Sequence, residues 1–347
     1  MIRHIKSIPE INGFYADESQ GSLYYLHREA GRATILYLNI ATLENTSWRV
    51  ALPDEPMTSW YISHGYIFVN FVGTLRIYRV ADGSLKATHK LAYHCSDADV
   101  FIAEGPSGRG FDLSSISLKN DAALWTISDF PNAFVTCAGT HILVLLKDDK
   151  PHNLSAYSCK TGEKTWEVDV AGYGAAKPNP FRPEEPCSIN GNILIHQEFV
   201  VLSLSIGKLL VLDLASGRQH ALIPEIGQNI FLTPDGLVYE LTKDRYGFAD
   251  LSNGKYTAVK TDWIRQDKEI HAGGALTRFS VSGNYAFACT TGGMLFCLDK
   301  NTGHIVWKQK LPLPVDGFIP ADFSPRLIGD RLVITDNEGT LHVYATT

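Results

Sequence analysis

The chain has 347 residues, of which 45% are hydrophobic, 11% aromatic and 20% charged, a composition that excludes a disordered or collagen-like protein. Its 31 Lys and Arg against 37 Asp and Glu leave a net charge of −6. No Lys/Arg cluster appears, so a nucleic-acid partner is not expected.

The opening Met1–Glu10 carries charge or proline every few positions. It therefore lacks the apolar stretch of about 7–15 residues that an export signal needs. The longest greasy region, Phe199–Leu214, is interrupted by Ser203, Ser205, Gly207, Lys208 and Asp213, short of the ~20 apolar residues of a bilayer span. The expectation is a cytoplasmic protein without a membrane partner. Cys95, Cys137, Cys159, Cys187, Cys289 and Cys297 are scattered without a CxxC pair and read as reduced core thiols. Cys289 and Cys297 flank a tight turn at unequal distances and are not expected to face each other.

Taken along the chain, one pattern recurs. ILYLNIATLENTSWRV near the N-terminus is followed by GTLRIYRVADGSLKA (73–87), LSSISLKNDAALWTI, LSAYSCKTGEKTWE (154–167), GKLLVLDLASGRQHA (207–221), RYGFADLSNGKYTA (245–258) and GGMLFCLDKNTGHIVWK (292–308). Aligning Gly162 with Gly303 brings Trp166 and Trp307 into register, and Trp125 and Trp48 fall on the same place. Ala87, Ala221 and Ala258 occupy it in the other copies. The turn positions are read as Glu44, Gly83, Asp121, Gly162, Gly217, Gly254 and Gly303. A period near 40 residues of strand–turn–strand units marks a β-propeller.

Each unit divides into four strands, a to d. In the second they are predicted at Thr58–His64, Tyr66–Phe71, Thr74–Val80 and Ser84–Leu91, with glycine supplying the positive φ of the c–d hairpin. The fold expected is all-β: one propeller domain, 1–347, of eight four-stranded blades. Seven is the alternative, because the second strand of blade three, near Val100–Glu104, is weak. The last unit lacks its outer strand, and Ile2–Ile8 is predicted to supply it and close the ring.

Asp299–Trp307 (DKNTGHIVW) resembles the tryptophan-docking repeat of quinoprotein-like, PQQ-repeat β-propellers, with SCKTGEKTW and SLKNDAALW as degenerate copies. The resemblance implies that Trp48, Trp125, Trp166 and Trp307 pack between neighbouring blades. It does not carry over the activities of the family. The vicinal cysteine pair of the alcohol-oxidising quinoproteins is absent, as is the lipidated cysteine of the outer-membrane assembly lipoprotein.

No motif carries chemistry. A P-loop, a nucleophile elbow, HExxH, a zinc-type cysteine pair and an EF-hand loop are all missing, so no cofactor, metal or catalytic residue is assigned. Function is sought instead in the loops that exceed the period: Ala171–Pro186, Asp262–Leu276, Pro312–Pro325 and the b–c loop GPSGRGF of blade three. All are expected on the d–a/b–c face, where long loops on a rigid scaffold are a common binding device. They nominate Tyr173, Lys177, Phe181, Arg182, Glu184, Glu185, Trp263, Arg265, His271 and Phe318 for contact with another protein. The reading is a non-catalytic protein-binding propeller, either an adaptor or a bacterial immunity protein that inhibits a basic toxin or effector, since acidic surfaces steer basic partners. The alternative is an enzyme or small-ligand site in the central channel, built from His94, Asp97, Asp99, Lys177, Arg182 and His271.

Overall fold

The structure is a computed structural model that describes residues 2–17, 21–97, 99–107, 111–146, 152–177, 181, 183–226, 230–242, 245–259, 266–272, 276, 279–311, 325–336 and 338–346. The strands form eight antiparallel four-stranded sheets and one short ribbon, and the architecture is an eight-bladed β-propeller. By contacts the chain divides into two compact units, Glu55–Gly227 and Met1–Asp54 with Gln228–Thr347.

The contiguous unit, Glu55–Gly227, holds blades two to five. Blade two comprises Met57–Ser63, Tyr66–Phe71, Thr74–Arg79 and Leu85–His89, each end within a few residues of its expected place. In blade three the weak second strand is Val100–Pro106, paired over its whole length with Phe111–Ser117. Ala103, Gly105 and Pro106 dilute its strand propensity, but Val100, Phe101, Ile102 and Ala103 are all buried, so tertiary packing decides. Middle strands such as Phe199–Leu204 and Lys208–Asp213 read as near-continuous apolar runs because both of their faces are covered. Outer strands such as Lys164–Asp169 are mostly polar and exposed.

The other unit holds blades one, six, seven and eight. Blade eight has the order Ile2–Ile8, Leu341–Thr346, Arg331–Thr335, Arg326–Ile328, so the N-terminal segment is its fourth strand. The register runs from Ile2 opposite Thr346 to Ile8 opposite Leu341, with a bulge between His4 and Lys6. Near its Ile8 end Ser7 Oγ meets His342 Nδ1 at 3.2 Å, and His342 Nε2 meets Asp336 Oδ2 at 2.8 Å.

The c–d turns share one construction. The amide of the positive-φ residue donates to the carbonyl four residues earlier at 2.8–2.9 Å: Gly83 to Arg79, Asp121 to Ser117, Gly162 to Ser158, Gly217 to Asp213, Gly254 to Asp250 and Gly303 to Asp299. In blade one that residue is Leu43, donating to Asn39, and Glu44 already begins the next strand. The turn position there is therefore one residue earlier than the sequence reading placed it. The side chain four residues before the turn caps it: Asp299 Oδ1 accepts from the amides of Asn301 and Thr302, and Asp213 Oδ1 from Ser216. The Ser216 hydroxyl and amide hold the Asp213 carboxyl below its usual range, the Ser252 hydroxyl and amide do the same for Asp250, and the Thr302 amide and hydroxyl for Asp299.

Two tryptophans dock on those turns, while Trp48 meets Tyr24 and Tyr37 of its own blade and Trp307 meets Tyr344 of blade eight. Trp125 lies against Gly162 and donates from Nε1 to the Cys159 carbonyl at 2.9 Å, and Trp166 lies against Gly217 and donates to the Leu214 carbonyl at 2.8 Å. Each acceptor sits three residues before its glycine. Blade six has Ala258 at the tryptophan position. There Tyr246, 1% exposed, donates its hydroxyl to the Lys300 carbonyl at 2.9 Å, the equivalent acceptor before Gly303. Blade two has Ala87 instead, and Lys86 reaches Asp121 at the turn of blade three.

Candidate protein-binding surface

The Ala171–Pro186 excursion leaves blade four after Val170, which is fully buried. Asp169 Oδ1 accepts from the Ala171 amide at 2.8 Å and starts a single 3-10 turn, Ala171–Tyr173. Tyr173 packs half-buried against a cluster that includes Cys187, Leu204 and Leu212, and that burial pushes its hydroxyl pKa up. The return leg is fixed at Cys187. Its amide donates to the Gly174 carbonyl at 2.8 Å, and its own carbonyl accepts from His152 Nδ1 at 2.6 Å. Between these anchors Ala175–Ala176 pairs with Glu185–Pro186 as a two-residue ribbon. Lys177 and Glu184 continue it with an exposed ion pair at 3.9 Å, a separation and exposure at which such pairs contribute ~0–1 kcal/mol.

Beyond that stem Phe181 is 97% exposed. Tyr173 thus belongs to the foot of the excursion, while Lys177, Phe181 and Glu184 are presented to solvent. Glu185 sits in the ribbon, half-buried. Arg182 lies outside the described residues.

In the discontinuous unit, Asp262–Leu276 is described from 266 to 272 and at 276. It contains the short helix Lys268–Ala272, started by Asp267 Oδ1 accepting from the Glu269 and Ile270 amides. Ile270 is fully buried against Tyr239, Phe279 and Phe296, and Lys308 ties Asp267 to blade seven at 2.8 Å. Burial pushes the Asp267 carboxyl pKa up, but the Lys308 ion pair and the Ile270 and Glu269 amides together outweigh it, and the net shift is downward. His271 is exposed on this helix. Trp263 and Arg265, like Phe318 in Pro312–Pro325, lie outside the described residues. The blade three b–c loop is described at both ends only, where Ser107 Oγ donates to Asp129 Oδ1 at 2.9 Å.

The residues proposed for a channel site are engaged locally. His94 Nε2 meets Glu104 Oε2 at 2.9 Å, Asp97 lies 3.9 Å from His64, and the Asp99 carbonyl accepts from the Leu118 amide. Among the described residues no group of three or more His, Cys, Asp or Glu is arranged to hold a metal ion, and no helix is long and apolar enough to cross a membrane. The ribbon under Phe181 escapes a period-based reading because each leg is only two residues long. The sequence sign is a proline-punctuated stretch with one aromatic, Phe181, after Tyr173.

Residues 257–347 match the family described as outer membrane protein assembly factor BamB. No curated protein matches the chain. Among solved structures it is similar to BamB from Moraxella catarrhalis, with 14% identity, 99% of this chain and 100% of that chain covered, and a TM-score of 0.60. The C-terminal WD40 domain of Sif2 aligns at 12% identity over 100% and 99% of the two chains, with a TM-score of 0.67. A europium-containing methanol dehydrogenase aligns at 10% identity over 99% and 93%, with a TM-score of 0.59. At these identities the likeness is one of fold.

Proposed function

We propose that this quinoprotein-like β-propeller binds another protein, with the Ala171–Pro186 excursion as the principal contact and Phe181 as its anchor. The observation that carries the reading is the build of that excursion. Its foot is pinned by Cys187, His152 and Tyr173, yet it holds a phenyl ring 97% in solvent. Leaving a Phe exposed forgoes roughly 1.5–3 kcal/mol of burial. Propellers commonly mediate protein interactions, and the family matched by residues 257–347 is described by its part in assembling other proteins.

In its narrower form the partner is a basic toxin or effector met in the cytoplasm, which the propeller neutralises as an immunity protein. The net charge of −6 and the adjacent Glu184 and Glu185 favour a basic surface through electrostatic steering. Lys177, Glu184 and Glu185 then act as the polar rim around Phe181.

The test is capture from native lysate by wild type, by Phe181→Ser and by a chain whose Ala171–Pro186 segment is replaced with a Gly/Ser linker. One stoichiometric protein held by wild type and lost by both folded variants supports the reading. Equal capture by all three overturns it. A captured protein of acidic or neutral charge would remove the toxin form while leaving the binding surface in place.

A further inference from the structure

Three of the six cysteines gather between blades three and four. Cys95 is in the first strand of blade three, Ala92–Ser96, and Cys137 in the first strand of blade four, Ala133–Ala138. Their Sγ atoms are 2.8 Å apart although the residues are 42 apart in sequence. Cys159, at the end of the third strand of blade four, is buried and hydrogen-bonded to Cys137, and it also faces the Gly139 carbonyl at 3.7 Å. All three border one apolar cluster with Ile102, Phe130 and Val144, where Cys95 and Cys137 are half-buried. In blade seven, by contrast, Cys289 is opposite Leu295 and Cys297 opposite Phe287, so those two thiols do not face each other.

We propose that Cys95 and Cys137 form a two-electron redox pair, oxidised by a small peroxide to a disulfide that joins the first strands of blades three and four. A contraction of roughly 0.8 Å carries the two sulfurs to the ~2.05 Å of a disulfide, and two neighbouring strands bring them together. The Cys95 thiolate attacks one peroxide oxygen, the O–O bond breaks, and hydroxide leaves to become water. The Cys95 sulfenic acid is then attacked by the Cys137 sulfur. The S–S bond forms, the S–O bond breaks, and a second water carries away the Cys137 proton. Two thiols and one hydrogen peroxide give one disulfide and two waters, and a dithiol reverses the step. Peroxide is small enough for a half-buried thiol, whereas a bulky disulfide oxidant must open the blade interface first. Cys159 stays reduced, because it is buried and the hydrogen bond with Cys137, together with burial, pushes its thiol pKa up. The proposal is independent of the protein-binding reading.

The test treats the reduced full chain with hydrogen peroxide near pH 8, where a larger fraction of exposed thiol is ionised. Alkylation in denaturant then quenches the reaction for thiol counting, intact mass and peptide mapping. The expected result is a fall from six free thiols to four, a loss of about 2 Da before alkylation, and one cross-link, Cys95 to Cys137. Cys159→Ser should lose two thiols to the same cross-link. Cys137→Ser should form no disulfide and lose only the Cys95 thiol, held as the sulfenic acid. Cys95→Ala should retain all its thiols, and it keeps the proposal testable if Cys137→Ser fails to fold. Six thiols persisting in folded wild type would overturn the proposal. So would a cross-link to Cys159, a disulfide between chains, or sulfinic acid in place of a disulfide.

Discussion

Trp166 and Gly217 make a contact whose two sides should not contribute independently. Trp166 is 9% exposed, its ring lies over Gly217, and its Nε1 donates to the Leu214 carbonyl. Truncation to Ala removes close to 200 Å² of buried surface, worth ~4 kcal/mol after allowing for a compact unfolded state. The lost hydrogen bond is included in the 3–5 kcal/mol range of such changes. Gly217→Ala meets two penalties. Its φ is +67°, which costs an L-residue ~1–2 kcal/mol. Its new Cβ would also stand 2.6 Å from Trp166 Cδ2, an overpacking worth another ~1–3 kcal/mol. In the Trp166→Ala background the overpacking vanishes and only the backbone cost remains. The double variant should therefore be about 2 kcal/mol more stable than the sum of the single losses implies. Urea unfolding followed by far-UV circular dichroism measures all four corners of the cycle, with matching m-values required before the free energies are compared. A coupling below ~0.5 kcal/mol would refute the claim that Gly217 is glycine to admit the indole.

Tyr246→Phe should lower stability by about 1–2 kcal/mol, because it removes the donor to the Lys300 carbonyl while keeping the ring; thermal unfolding reads this directly. The turn carboxyls Asp213, Asp250 and Asp299 are held below their unfolded value near 3.8. Their contribution is present above that pH and is lost as pH falls through the lower folded values. Melting temperature should drop as pH falls below about 4, and the drop should be shallower in Asp299→Asn; an equal drop in that variant would remove Asp299 from the explanation. His4, His89 and His141 are held below 6.5, chiefly by burial. Protonating them opposes folding, so stability should begin to fall as pH drops below about 6.5, and replacing His89 by Gln should flatten that limb. Phe181→Ser should leave stability within about 0.5 kcal/mol of wild type, so any loss of partner capture by that variant is not loss of fold.

The repeat made most of the architecture legible. Gly162 and Trp166 sit in one copy, Gly303 and Trp307 in another, and the spacing that aligned them is the spacing by which an indole reaches the next blade's turn. Where the chemistry changed but the job did not, the reading lost the thread. Tyr246 takes over from the tryptophan in blade six, but it comes from a different strand, so no alignment on position 258 can reveal it. Leu43 was missed because a leucine at positive φ has no sequence signature; the turn is set by Asn39, whose side chain accepts from Ala41 and Thr42. The aspartate four residues before the turn glycine, at 213, 250 and 299, was visible all along and marks the same turn. The excursion was found by its excess length, but its stem depends on contacts of His152 and Cys187, 35 residues apart, which local patterning does not encode. The Cys95–Cys137 approach is hidden for the same reason.

The pairing of Ile2–Ile8 with Leu341–Thr346 sets an order of events during synthesis. Ser7 and His342 are 335 residues apart, so at ~5–20 residues per second the first strand waits roughly 17–70 s for its partner to be made. Blades two to five lie in one uninterrupted stretch, Glu55–Gly227, and can complete their hairpins while the rest is still being translated. Blade eight cannot, and until it does, a strand carrying Ile5 and Ile8 offers an unpaired edge to any other nascent chain. The ribosome-bound intermediate, rather than the finished protein, is where aggregation is most to be expected. Slowing translation late in the message should lower the soluble yield more than slowing it early.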